Sequence, residues 1–182
     1  MRRLVLALAS AGLLAVAYAP AATAATVLPV SGQMVVVDWI SDGVEGMHGA
    51  PKAGTPIGDV LFTVYSKRDM VLKSELIPDP GAAGYDYIAG VETSRFGYQL
   101  NFRTWHGSGF GTTRIEPEAY PAGWFTCSLS YVYVGGFPPA WRGHEVCHGQ
   151  GTLDGVQLRL DLAHDSTTFE TTFTGYVFMP GS

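Results

Sequence analysis

The stretch Arg142–Asp154, RGHEVCHGQGTLD, decides the fold. His144 and His148 stand four residues apart, with Glu145 beside the first. On an α-helix four residues make about one turn, so both imidazoles lie on one face and can grip one ion. On a β-strand the same four residues span roughly 13 Å. Ligand nitrogens sit about 2 Å from a zinc ion, so two histidines that far apart cannot share it directly. The backbone conformation here therefore settles the chemistry as well as the architecture.

The neighbours favour a strand. GGFPPAW precedes the stretch, so a helix could begin only near Pro139. Gly143, Gly149 and Gly151 would each weaken that helix by about 1 kcal/mol relative to Ala. Downstream, VQLRLDL alternates: Val156, Leu158, Leu160 and Leu162 face one way, and Gln157, Arg159 and Asp161 the other. Upstream, WFTCSLSYVYV places Phe125, Cys127, Leu129, Tyr131 and Tyr133 on one face. If these segments are antiparallel neighbours, Cys127 and Cys147 can face each other and form a disulfide. Cys147 then points inward, and so does Glu145 two residues away, while His144 and His148 point out. A carboxyl inside a small barrel is costly unless paired, and its pKa rises. Glu145 is thus a candidate general acid/base or ligand-orienting group. The alternative is a Glu at the barrel mouth, solvated or paired with Arg95, Arg103, Arg114 or Arg142.

The same alternation extends along the chain. Gln33–Ile40, Asp59–Lys67 and Met70–Ile77 read as strands, the last pairing back on its predecessor. Gly46–Gly58, with His48, reads as a Gly/Pro-rich loop or bulged strand, and Pro78–Gly84 as a turn. Tyr98–His106 alternates with Tyr98, Leu100 and Phe102 on one face, which places His106 beside them as a candidate ligand-binding group. Thr167–Phe178 continues the pattern through Phe169, Phe173 and Val177. The expectation is all-β: one antiparallel barrel or sandwich of about 8–10 strands with one disulfide.

The N-terminus has a different character. Arg2 and Arg3 precede the apolar run LVLALASAGLLAVAYA, and Ala22-Thr23-Ala24 offers a small-residue cleavage site. Residues 1–24 are expected to be a signal peptide, with Ala25 an equally good end, leaving 25–182 as a single domain. The expected location is secreted or periplasmic, where two cysteines pair by default. No other apolar run is long enough to span a membrane as a helix. The full chain carries −5, and loss of the leader arginines makes it −7. Such a balance excludes the basic footprint of a nucleic-acid binder.

Two resemblances add to this. HGSGFGTTRIEP, GWFTCSLSYVYVGG, RGHEVCHGQGTLDGVQLRLDL and FTGYVFMP resemble the later strands of small calycin-type barrels, the allene oxide cyclase-like and dirigent-like group. The likeness covers roughly Trp105–Pro180. It implies the barrel and an apolar pocket; the group's catalytic residues have no counterparts that can be matched here. Separately, HEVCHGQGTLD resembles the metzincin-type pattern, which implies a secreted zinc metalloprotease with His144, His148 and Asp154 as ligands and Glu145 as base. The preferred expectation is a secreted barrel that binds or acts on a small apolar molecule without a metal or other cofactor. The zinc protease is the alternative, and a filled barrel serving as a structural or surface-interaction domain is the second. The tryptophans Trp39, Trp105, Trp124 and Trp141 can line a pocket or fill a core. Ser108 lies in GSG, outside any nucleophile-elbow pattern.

Overall fold

The computed structural model describes residues 24–48, 64–101, 104–135 and 139–181. Its strands are β1 (Thr26–Ser41), β2 (Val44–His48), β3 (Val64–Pro78), β4 (Gly90–Asn101), β5 (His106–Pro117), β6 (Gly123–Val134), β7 (Ala140–Gly151), β8 (Gln157–Asp165) and β9 (Glu170–Met179). A single helical turn, α1 (Tyr85–Ile88), precedes β4. From β3 to β9 every strand pairs antiparallel with the next, and β1 closes the circle between β9 and β3. The result is a closed eight-stranded antiparallel barrel, consistent with the calycin type. β2 adds to β3 beyond the end of β1. Closure leaves the barrel strands no free edge along their shared ladders, which is how an all-β chain avoids edge-to-edge association.

The alternation read from the sequence sets the interior. Phe125, Cys127 and Tyr131 of β6 are buried, as are Leu158, Leu160 and Leu162 of β8. One end of the barrel is packed solid by Leu76, Ile115, Phe125, Leu158 and Val177. Ile88 of α1 and Leu153 of the β7–β8 turn complete that cluster, both buried. Each such side chain contributes about 1.5–3 kcal/mol by leaving water. Backbone bonds from Asp79 to Ser31 and from Gly84 to Pro29 hold the 79–84 connection to β1.

Several expectations need correction. Met70–Ile77 does not pair back on the preceding strand; it continues β3. A bulge between Lys67 and Met70 absorbs the irregularity, with Asp69 at φ 59°. The predicted run Tyr98–His106 breaks at its end, because β4 stops at Asn101 and β5 starts at His106. The turn reverses the chain through Trp105, at φ 56°. Phe169 is exposed in the β8–β9 turn, and Thr171 takes the first inward position of β9. Phe102 and most of Gly46–Gly58, together with the first residues of the predicted strand Asp59–Lys67, lie outside the described residues. Among the described residues no helix is long and apolar enough to cross a membrane.

Candidate functional site

Residues 140–151 form strand β7, in register with β6 and β8. Cys127 and Cys147 are direct cross-strand partners and are joined by a disulfide, with Cα atoms 3.9 Å apart. Strand parity then fixes the rest. Glu145 points into the barrel and is 1% exposed. His144 and His148 are exposed on the outer wall, and His144 shares a hydrogen bond with Ser130, Nε2 to Oγ, at 2.9 Å. Asp154 is exposed in the β7–β8 turn. The strand therefore holds the two histidines apart, and the zinc-binding arrangement of the alternative reading is not formed. Among the described residues, the one group of His, Cys, Asp and Glu ligand atoms within reach of a common ion is Cys127, Glu145 and Cys147. Its two sulfurs are bonded to each other and offer no thiolate.

Above the packed end, the interior turns polar. Ser74 of β3, Glu92 and Ser94 of β4, Thr113 of β5 and Glu145 of β7 form a buried belt. Ser94 Oγ donates to Glu92 Oε1. Ser74 Oγ, Glu92 Oε2, Thr113 Oγ1 and both oxygens of Glu145 have no hydrogen-bond partner. Such buried orphans are rare in folded proteins and each has a specific cause, such as strain, a catalytic role or a bound water or ion. None of the arginines considered for Glu145 reaches it: Arg95 donates to Asp69 at 2.9 Å, Arg114 donates to Glu116 at 2.8 Å, and Arg142 is exposed. Arg103 lies outside the described residues.

Burial dominates the electrostatics of this belt. It pushes the Glu92 carboxyl up to about 7, against the opposing hydrogen bond from Ser94. It raises Glu145 well above the ordinary carboxylate range. Repulsion from Glu92 adds to that rise, and the neighbouring Thr113 hydroxyl opposes it. Both shifts favour the protonated forms, and Glu92 is poised between its two states near neutral pH. The pair titrates as a unit rather than as two independent groups.

The belt is the floor of a cavity of about 340 Å³ that opens at the other end of the barrel. Ser74, Glu92 and Ser94 line its base. Phe96, Leu129 and Leu162 line its wall, and Trp39, Tyr98, Tyr133, Trp141 and His164 its mouth. The rings form a chain. Tyr98 meets Tyr133 edge-on at 5.6 Å, and Tyr133 meets Tyr131 edge-on at 5.7 Å. Tyr131 lies 5.7 Å from Trp141, and Trp141 stacks on His164 at 5.6 Å. Burial raises the pKa of Tyr131 and Tyr133 and lowers that of His164, with nearby Asp165 opposing the last shift. Tyr131 Oη also donates to the carbonyl of Gly97 at 3.3 Å. Gly109 leaves the space its ring occupies, since a Cβ there would overlap the phenol. A larger depression of about 560 Å³ lies outside the barrel along β3, β4 and β5. It is more open, and its Arg95 and Asp69 bind each other.

Of the residues singled out from sequence, Glu145 lies just beneath the cavity floor and Trp39 and Trp141 line the cavity. His106 does not join them. It is exposed at the outer rim, with its ring beside Gly135, because the β4–β5 turn moves it out of the phase of Tyr98. Trp124 lies under the Arg114 guanidinium, 4.5 Å from ring centre to Cζ. Glu92, Ser94 and Ser74 were missed. Extending the face of Tyr98 and Leu100 back by twos passes through Phe96, Ser94 and Glu92, so the signal was present for two of them.

No family model matches this chain, and comparisons with curated proteins and with solved structures give no match.

Proposed function

We propose that this protein is an exported barrel that holds a small, largely apolar molecule in its open end. One observation carries the reading. The barrel packs one end to full burial, yet leaves a ring-lined cavity of about 340 Å³ at the other, with unpartnered polar atoms at its base. That volume is at the small end of the roughly 300–1,000 Å³ range of ligand pockets, which combine apolar walls with a few placed polar groups. The Arg-led apolar leader and the disulfide support export and removal of residues 1–24. Kinship with the allene oxide cyclase-like and dirigent-like barrels is part of the proposal, on the meander and the glycine spacing of Trp105–Pro180. The paired carboxyls also suit proton transfer to a bound molecule, with Glu92 as the group that touches it and Glu145 behind.

A neutral fluorophore tests the reading. N-phenyl-1-naphthylamine is expected to brighten on addition to the folded protein and to saturate at one equivalent. Leu129→Trp, which fills the cavity from its wall, is expected to abolish the signal while leaving the far-UV spectrum unchanged. A folded wild-type protein that fails to brighten the probe would select the filled structural barrel instead.

A further inference from the structure

The cavity is selective in what it offers. Glu92 and Ser74 line its base, and Glu92 Oε2 and Ser74 Oγ are buried there without a partner. Behind them stand the unpartnered Thr113 Oγ1 and the two Glu145 oxygens. The Ser74 and Thr113 hydroxyls can donate or accept, and a protonated Glu145 can also donate; the ionised Glu92 carboxylate is acceptor-only and calls for a donor. None of the described residues lining the cavity is Lys or Arg, and its one basic side chain is His164 at the mouth. Among the described residues, an anionic head therefore finds no Lys or Arg as counter-ion. A cationic head finds a carboxyl at the floor, and the rings of Tyr131, Tyr133 and Trp141 line the cavity above it. A metal ion is a poor match, because hard cations take six or more oxygen ligands. No set of three acid, His or Cys groups that includes Glu92 converges among the described residues.

We propose that the ligand is a small aromatic or aliphatic molecule bearing a protonated primary amine. The ammonium group donates to Glu92 Oε2 and Ser74 Oγ, and the apolar body lies against Phe96, Leu129, Tyr131 and Trp141. This rests on the cavity-binding reading and narrows it to one ligand class. It also makes binding pH-dependent. The titratable groups facing the floor are Glu92 of β4 and Glu145 of β7, with Tyr98 of β4, Tyr131 and Tyr133 of β6 and His164 of β8 above them. Burial biases Glu145 and the tyrosines toward their protonated forms, and Glu92 is the group raised to about 7.

Three probes of one shape separate the outcomes by titration calorimetry: 2-(2-naphthyl)ethylamine, 2-(2-naphthyl)ethanol and 2-naphthylacetate. Near pH 8 the amine is expected to bind about tenfold or more tightly than the alcohol, and the acetate more weakly than either. Between about pH 8 and pH 6 the amine is expected to weaken by about tenfold as Glu92 takes up its proton, while the alcohol changes little. Glu92→Gln is expected to bring the amine to the alcohol's affinity and remove its pH dependence. Retained alcohol binding shows that the variant is folded; if it does not fold, the wild-type pH comparison decides. An amine that binds no better than the alcohol near pH 8, or an acetate that binds best, overturns the amine proposal and leaves the cavity reading standing. Failure of all three to bind overturns both.

Discussion

Raising the pH from about 5 to 8 should destabilise this protein, and Glu92 should account for a measurable share. The side chain is 1% exposed, and burial lifts its pKa from 4.5 to about 7. A carboxyl with a folded pKa above its unfolded value keeps its proton longer in the native state. Its contribution is fully present below about pH 4.5 and is lost as pH rises through about 7. At about 1.4 kcal/mol per pH unit, the gap is worth about 3 kcal/mol. That is a large part of the roughly 5–15 kcal/mol by which domains are stable. Glu145 acts in the same direction. His164 opposes them, because its folded pKa is depressed and its contribution grows as pH rises toward 6.5. The comparison that isolates Glu92 is therefore wild type against Glu92→Gln, by urea unfolding across this range. Wild type should lose about 2–3 kcal/mol more than the variant over this range, equivalent to about 1 M in urea midpoint at an m-value near 2 kcal/mol/M. Parallel curves for the two proteins would refute the reasoning. They would mean that the Glu92 carboxyl is hydrated in the native state and that burial does not govern its charge.

Other outcomes follow from the same geometry. Gly109→Ala should destabilise the fold by about 1–3 kcal/mol in chemical denaturation, because the added methyl displaces the Tyr131 ring and its bond to Gly97. Reduction of Cys127–Cys147 opens a loop with a sequence separation of 20 and should lower stability by about 3 kcal/mol on the chain-entropy account, seen as a shifted denaturation midpoint with reductant. A chelator, or His144→Ala, should leave thermal unfolding and probe binding unchanged, since His144 faces outward and bonds Ser130. Stoichiometric zinc that is lost in His144→Ala would reverse that reading.

The stretch Arg142–Asp154 shows why some of the site was legible. A strand has a period of two, so pairing Cys147 with Cys127 fixed the direction of every neighbour, Glu145 included. Apart from Ser74 of β3, the part of the site that was missed lies on β4, in Gly90–Phe96. There the inward positions are Glu92 and Ser94, while Val91 and Thr93 are the less buried ones. Hydrophobic alternation is inverted over those residues, so a search for apolar periodicity passes over them. The cause is the site itself: polar groups placed inside break the pattern that marks an inside. His106 failed for a different reason. A turn between β4 and β5 resets the phase, and TWHGSG carries its glycines after the turn rather than within it. The bulge at Arg68 and Asp69 was equally silent, because neither Gly nor Pro marks it.

Glu92 and Glu145 also show how two identical side chains in one barrel acquire different roles. Both are buried to the same degree, so desolvation alone does not separate them. Their neighbours do. Ser94 donates a hydrogen bond to Glu92 and stabilises its charged form, whereas at Glu145 the repulsion from Glu92 outweighs the opposing Thr113 hydroxyl. The disulfide two residues from Glu145 pins β7 to β6, so Glu145 cannot move away to escape that repulsion without straining the ladder. Ser94 is then the residue that holds Glu92 nearer its charged form within the coupled pair. Ser94→Ala should raise the Glu92 pKa further and move the pH-dependent loss of stability to higher pH. At the same time it should weaken amine binding near pH 7 more than near pH 9, where Glu92 ionises without help. If the transition stays where it is in the wild type, the hydroxyl does not set the charge of Glu92, and the distinction between the two carboxyls must come from the cavity water above Glu92 instead.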